Sequence, residues 1–300
     1  MKLLVTGGAG FIGSNFIEYM LNKYQDIEII CLDLLTYAAN INNLNSIKDD
    51  DRFHFVHGDI CDDVLLEELY NNYKFNIIIN FAAETHVDRS LNDSTPFIKS
   101  NIIGVHKLLE LARKHNIYLH QISTDEVYGG KSIDDCTFYT TKSRLNPTNP
   151  YAASKASGDL LVLAYIRTYN IKATISRSSN NYGKNQHSEK FIPHCLDLIK
   201  NHKKLEIYGE GKEKRDYIPV EFNIFCIDQI IHNPIKTIYN ICSEEEYSSL
   251  EIAHKILDYY HLDYSNIIFI NNRLNHDGHY PMKSSFSYKR YKKTFNKKKN

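Results

Sequence analysis

The run Ser123-Thr124-Asp125-Glu126-Val127-Tyr128-Gly129 and, downstream of it, Tyr151-Ala152-Ala153-Ser154-Lys155 carry a hydroxyl, two carboxyls, a phenol and an amine. Residues four apart share a helical face, so Tyr151 and Lys155 can address one ligand together, with the ammonium lowering the phenol's pKa. Such a phenolate takes a proton from an alcohol. Thr124 ends an apolar stretch, Ile117 to Ile122, that reads as a buried parallel strand, and ligands of open α/β sheets gather beyond the carboxyl ends of strands. Asp125 and Glu126 therefore belong at a ligand crevice, where one sugar could meet acid, base and Tyr/Lys pair. Singly, each piece has a plainer reading. A lone Tyr-x-x-x-Lys is usually surface decoration, and Asp-Glu after a strand is usually a solvated turn or a helix start. In this order, downstream of a dinucleotide fingerprint, they point to chemistry.

The elements that must position them begin at the N-terminus. Lys2 to Thr6 is a short apolar strand, Gly7-Gly8-Ala9-Gly10-Phe11-Ile12-Gly13 a glycine-rich turn, and Ser14 to Lys23 a helix by its apolar spacing. Gly7 permits the tight turn, Gly10 lets backbone N–H groups approach a pyrophosphate, and Gly13 lets the helix pack close to the sheet, with Phe11 and Ile12 between the last two. A second strand, Glu28 to Leu32, ends at Asp33, where a carboxylate accepts the adenosine ribose hydroxyls and disfavours a 2′-phosphate, so NAD is expected over NADP. Strands at Phe53 to His57 and Ile77 to Phe81 flank a helical pattern from Val64 to Tyr73. Asp59-Ile60 is placed for the adenine, and Phe81-Ala82-Ala83 offers small side chains that serve either the cofactor or packing alone. Pro96 to His115 reads as one long helix flanking the sheet.

Beyond the Tyr/Lys helix, Lys172 to Arg177 reads as a sixth strand. The alternation then weakens into short helices (Phe191 to Lys200, Ile224 to His232, Leu250 to Tyr260) and short strands (Leu205 to Tyr208, Thr237 to Ile241). The expected fold is α/β: a Rossmann-type doubly wound parallel sheet over residues 1–178, with a smaller mixed α/β C-terminal lobe, 179–300, serving mainly the substrate. Glu189-Lys190, Arg215-Asp216 and the run from Arg273 through His276-Asp277 are either surface charge or a diphosphate clamp, for which Arg215 and Arg273 suit planar recognition of phosphate oxygens.

The 300 residues carry 36 basic and 36 acidic side chains, so electrostatics imply neither nucleic acid nor an anionic membrane as partner. Lys289 to Lys299 reads as a solvated basic tail. Thr6 to Gly10 interrupts the first apolar run, which argues against a signal peptide, and no stretch has the length of a membrane span; the cytoplasm is the default compartment. Six cysteines lack any Cys-x-x-Cys and read as reduced core residues. Fourteen histidines form no ligand spacing, so no metal site is expected.

TGGAGFIGSN at 6–15, AAETHVDRS at 82–90, STDEVYG at 123–129, YAASKAS at 151–157, SNNYG at 179–183 and EKFIP at 189–193 resemble the extended short-chain dehydrogenase/reductase family, and within it the nucleotide-sugar 4,6-dehydratases. The resemblance covers about residues 1–283. The glycine turn and the Tyr-x-x-x-Lys are shared with epimerases, reductases and decarboxylases of the superfamily; the Thr-Asp-Glu triplet is not. The resemblance implies an NAD-dependent, redox-neutral dehydration of a nucleoside-diphosphate glucose to its 4-keto-6-deoxy product, an early step of rhamnose or other deoxysugar synthesis. It assigns oxidation to Tyr151, Lys155 and Thr124, with Asp125 as acid and Glu126 as base. Thr85, Asn180, Lys190 and Arg215 would contact the sugar nucleotide, and Ser100 and Asn181 would lie near the nicotinamide. It also implies a homodimer built on the Pro96 to His115 and Tyr151 to Tyr169 helices. The alternatives are an epimerase or reductase of the superfamily, which needs no acid/base dyad at 125 and 126, and a non-catalytic nucleotide-binding relative, which would be expected to lose Tyr151 or Lys155. The chain departs from the pattern in three places. The usual Arg-Pro-Gly-His-Asp-x-Arg-Tyr reads Arg273-Leu274-Asn275-His276-Asp277-Gly278-His279-Tyr280, losing its second arginine; Cys242 replaces a glycine; and Val-Glu-Asp reads Val220-Glu221-Phe222.

Overall fold

The computed structural model describes residues 1–271 and 277–299, with side chains to 294. The chain runs through β1 (Lys2–Thr6), α1 (Phe11–Lys23), β2 (Glu28–Asp33), β3 (Phe53–His57), α2 (Asp63–Tyr73) and β4 (Ile77–Asn80). Short α3 (Val87–Asn92) and α4 (Thr95–Ile98) lead into a π-helical stretch, Lys99–Gly104, then α5 (Val105–His115), β5 (Tyr118–Thr124), α6 (Pro150–Tyr169) and β6 (Ala173–Ser178). The remainder comprises β7 (Asn180–Tyr182), α7 (Phe191–Lys200), β8 (Leu205–Tyr208), β9 (Lys214–Pro219), α8 (Val220–His232), β10 (Ile238–Ile241), β11 (Glu246–Ser248), α9 (Ser249–Tyr259), β12 (Ile267–Ile270) and α10 (Tyr288–Lys299).

The main sheet has seven parallel strands in the order β10-β6-β5-β4-β1-β2-β3. Strands β1, β2 and β4 carry near-continuous apolar runs because both faces of the sheet are covered, while β5 buries His120 and Gln121 among its apolar residues. Alternation along each strand divides the core in two. Leu3, Val5, Ile29 and Cys31 pack with residues of α1 and α8, while Leu4, Ile30, Leu32 and Ile78 pack with residues of α2, α5 and α6. The expected doubly wound sheet is present, and its order reverses between β1 and β4, the switch point at which such sheets bind ligands. A three-stranded sheet, β11-β9-β7, and a two-stranded one, β12-β8, form the smaller mixed part, with its own core of Cys195, Leu198, Leu205, Ile207, Ala253 and Leu257.

Three elements differ from the sequence reading. The segment expected as a cap-lobe strand, Thr237 to Ile241, is β10, which pairs with β6 as the seventh strand of the main sheet, and α8 packs on α1 beneath it. Four residues with an alternating apolar pattern do not reveal which sheet edge they will join. The expected helix Pro96 to His115 is broken by the π-helical turn. The basic tail Lys289 to Lys299 is helical, and near its start Tyr288 and Tyr291 pack against Phe222 with tilted rings at 4.8 and 5.0 Å. Phe222 stands where the family pattern has an acid, and it provides that aromatic anchor. Among the described residues, no helix is long and apolar enough to cross a membrane.

Candidate active site

A cavity of about 630 Å³ opens at the switch point and runs from the glycine turn to the Tyr151–Lys155 face of α6. At its floor Gly7 has φ +68° and a side chain there would meet the Ala82 backbone nitrogen at 2.5 Å. Only glycine fits both demands. A side chain on Gly13 would strike the Gly7 carbonyl at 2.4 Å, so α1 starts close against the turn, with Gly10, Phe11 and Ile12 lining the cavity. A helix N-terminus meeting a cavity in this way is built for a phosphate.

Asp33 is buried at the end of β2, where Oδ2 accepts from Ala9 N at 2.9 Å and Oδ1 from Leu35 N at 2.8 Å. Burial pushes its pKa up and those two N–H groups pull it back. Each oxygen keeps a lone pair for a ribose hydroxyl, so Asp33 braces the turn as well as facing the cavity. Asp59 and Ile60 line the same end; burial works against the Asp59 carboxylate, but Lys99 at 2.8 Å and the Cys61 N–H hold its pKa low. Phe81, Ala82, Ala83, Ser100 and Asn181 line the wall, Asn181 being held by bonds from its Nδ2 to Ser178 Oγ and the Ser179 carbonyl.

At the other end Thr124, Asp125, Glu126, Tyr151 and Lys155 all line the cavity. The Thr124 hydroxyl donates to Asp125 Oδ1 at 3.0 Å and accepts from Glu126 N at 3.3 Å, which fixes the turn after β5. Asp125 is buried and its pKa is pushed up to about 8 by burial first and the Glu126 charge second. The Glu126 pKa is also raised by burial, opposed by the Asn149 amide, whose Nδ2 donates to Oε2 at 3.2 Å. Lys155 donates to the Ile122 carbonyl at 2.7 Å, and burial lowers its pKa to about 8. The phenol of Tyr151 is held protonated by burial and by Glu126, against the pull of the Thr124 hydroxyl. The expectation that the Lys155 ammonium depresses this phenol is not what the geometry delivers, since the ammonium turns to a strand carbonyl.

Of the expected sugar-nucleotide residues, Thr85, Asn180 and Lys190 line the cavity, with Lys190 Nζ donating to the Thr85 carbonyl at 3.2 Å. Arg215 stands behind the wall, its guanidinium on the carbonyls of Lys214, Asp277 and Gly278 and over the Tyr280 ring, yet its charge lowers the pKa of both Asp125 and Glu126. Arg273 and His276 lie outside the described residues. No group of side chains able to hold a metal occurs among the described residues.

Sequence reasoning missed several contributors. Asn149 is the N-cap of α6, accepting from Ala152 N, with Pro150 in the first turn; that Asn-Pro start signal precedes Tyr151 and could have drawn notice. Asn101, turned inward by the π-helical stretch, accepts from Glu84 N and donates to the Glu84 carbonyl and Ser154 Oγ. It ties the loop after β4 to α6, and nothing in its sequence neighbourhood marks it. On the rim, Arg89 lies over the Tyr37 ring at 3.6 Å, and His86 and His187 approach Glu189 at 3.6 and 3.7 Å.

A switch-point glycine turn, an acid at the end of β2 and a Tyr–Lys helix facing them across one cavity are the marks of an extended short-chain dehydrogenase/reductase. The chain belongs to the family described as GDP-mannose 4,6 dehydratase, whose model matches residues 4–293. It is 39% identical over 289 residues to a dTDP-glucose 4,6-dehydratase of Mycobacterium tuberculosis, covering 96% of this chain and 86% of that one. It is 43% identical over 282 residues to the low-salt glycan biosynthesis protein Agl12 of Haloferax volcanii, covering 93% and 89%. The solved structure of DesIV, a dTDP-glucose 4,6-dehydratase from Streptomyces venezuelae with NAD and TYD bound, superposes with a TM-score of 0.90 at 39% identity, covering 95% of this chain and 88% of that one.

Proposed function

We propose that this chain, an NAD-dependent hydro-lyase, dehydrates a nucleoside-diphosphate glucose, dTDP-glucose in preference to UDP-glucose, to its 4-keto-6-deoxy product. The observation that carries this reading is the Asp125–Glu126 pair in the same cavity as Tyr151. An epimerase or reductase has no use for that pair. The glycine turn with Phe11 and Ile12, Asp33, Asp59, Ile60, the 81–83 wall, Ser100 and Asn181 would hold the cofactor. Bound NAD supplies a hydride acceptor for C4, a hydride donor for C6 and a positive ring charge beside the phenol.

Tyr151 would take the proton of the 4-hydroxyl only after losing its own to solvent, as the phenolate that the positive ring charge of bound NAD would favour; the Thr124 hydroxyl stands beside it, and Lys155 fixes the α6 face against β5. Once C4 is a ketone, the C5 proton is acidic and Glu126 removes it. Asp125, still protonated below about pH 8, gives its proton to the departing 6-hydroxyl, which leaves as water, and Glu126 returns a proton to C5 once C6 has been reduced. The different partners, a hydroxyl on Asp125 and an amide on Glu126, support a division into acid and base. Lys190, Thr85, Asn180 and Arg215 would hold the nucleotide-sugar end, and the product suits an early step of deoxysugar synthesis such as that of rhamnose. Exposed Leu160 on α6 (56% accessible), Ile98 and Ile103 support a homodimer through the paired helices. The test is a panel of dTDP-, UDP- and GDP-hexoses incubated with the purified protein: formation of the 4-keto-6-deoxy sugar from dTDP-glucose is the expected result, and turnover confined to C4 inversion refutes it.

A further inference from the structure

His279 stands where the family pattern has the second arginine of its clamp, and it is buried at 4% accessibility. Its Nδ1 lies 3.0 Å from Glu246 Oε2 and its Nε2 3.0 Å from the Asp135 carbonyl. A carboxylate and a carbonyl only accept, so both bonds require an N–H on the ring. A neutral imidazole has one N–H; this arrangement needs two, the cationic form.

The ring joins three segments. Its backbone exchanges bonds with Lys131, Lys131 N to His279 O at 3.0 Å and His279 N to Lys131 O at 3.2 Å, and its side chain reaches β11 and the 135 turn. The strands meet closely: a side chain on Gly278 would strike the Lys131 carbonyl at 2.4 Å, and one on Gly130 the Asp277 carboxyl at 2.2 Å. The charged groups around the ring are otherwise engaged. The Asp135 carboxylate holds Lys131 and Thr137, Asp277 holds Thr148 and Tyr280, and Arg215 donates to the carbonyls of Asp277 and Gly278 at 3.1 Å each. Glu246 pairs in register with Asp216, the residue after Arg215 on β9.

The geometry points to His279 as a positioning residue for Arg215: a doubly protonated ring that pins the Asp277–Tyr280 segment, whose two carbonyls hold the guanidinium in place behind the wall of the nucleotide-sugar site. This rests on the reading of Arg215 as a diphosphate contact. His279→Arg restores a multiply donating cation and keeps the clamp. His279→Gln offers one donating nitrogen and one accepting oxygen where the ring has two donating nitrogens, so an oxygen must face Glu246 or the Asp135 carbonyl and the segment loosens.

The experiment measures dTDP and NAD binding by titration calorimetry on the full chain and both variants, with ring-nitrogen NMR of the parent at neutral pH. Expected are two protonated ring nitrogens for His279, dTDP binding weakened about tenfold or more in His279→Gln, a change of the size a lost charge-assisted bond produces, near-parent dTDP binding in His279→Arg, and unchanged NAD binding throughout. Equal dTDP affinity in His279→Gln, or one bare ring nitrogen in the parent, overturns the clamp. A parent protein that binds NAD but no dTDP overturns the nucleotide-sugar reading instead, and the NMR result then still judges the protonated ring.

Discussion

Adjacent carboxyls divide acid and base work only when their surroundings hold protons differently, and the partners of Asp125 and Glu126 differ. Asp125 is buried with one hydroxyl donor, whereas Glu126 has the Asn149 amide and stands half-buried. Replacing Glu126 by Gln should slow dehydration about 10²- to 10⁴-fold, the usual worth of a general base. In deuterated water, label at C5 should be suppressed along with it. Replacing Tyr151 by Phe should stop the cycle earlier, with no C4 oxidation; parent-rate dehydration by Glu126→Gln would show the base to be misassigned. Asp125 also sets a pH dependence of stability. With its pKa raised from 3.8 to about 8, the folded chain holds a proton that the unfolded chain releases. The stabilisation is complete at pH below the unfolded value and is lost as pH rises through about 8. Urea midpoints taken near pH 5 and near pH 9 should therefore fall more steeply for the parent than for Asp125→Asn; parallel slopes would mean that Asp125 is ionised in the folded state.

At the scale of elements, the face that carries Tyr151 and Lys155 depends on how α6 begins and how its neighbour is wound. Asn149 caps α6 through Ala152 N and, with its other side-chain atom, donates to Glu126. Asn149→Ala should cost about 1 kcal/mol of stability as a lost cap. It should also raise the Glu126 pKa, since the amide is what opposes burial there. The acidic limb of the pH–rate profile should then move to higher pH. An unmoved limb would separate the cap from the base. The π-helical stretch before α5 has the complementary task of bringing Asn101 to Glu84 and Ser154, and such turns recur where a side chain must be aimed inward.

For the whole molecule, the exposed apolar residues of the α4–α5 run and α6 form the surface on which a second copy would pack. Light scattering should give twice 34.9 kDa, and Leu160→Lys should halve the mass while leaving NAD binding intact. A monomeric parent at micromolar concentration would remove this proposal. The C-terminal helix belongs to the same scale, because Tyr288 and Tyr291 anchor it on Phe222 of α8 and thereby to the main sheet.

Local chemistry was legible in the residue order. A strand, a glycine turn and a helix at Lys2 to Lys23 follow from apolar runs and from the positions where a side chain would collide, and the Thr-Asp-Glu and Tyr-x-x-x-Lys runs carry their reactive groups with them. What tertiary structure decided is everything that depends on distant segments meeting. β10 joined the main sheet because β6 offered it an edge, and Asn149 reached Glu126 across 23 positions. The directions of the Tyr151 and Lys155 pKa shifts were likewise decided by burial, which no spacing encodes: the same Lys155 expected to lower the Tyr151 phenol is turned to the Ile122 carbonyl, and desolvation governs both groups.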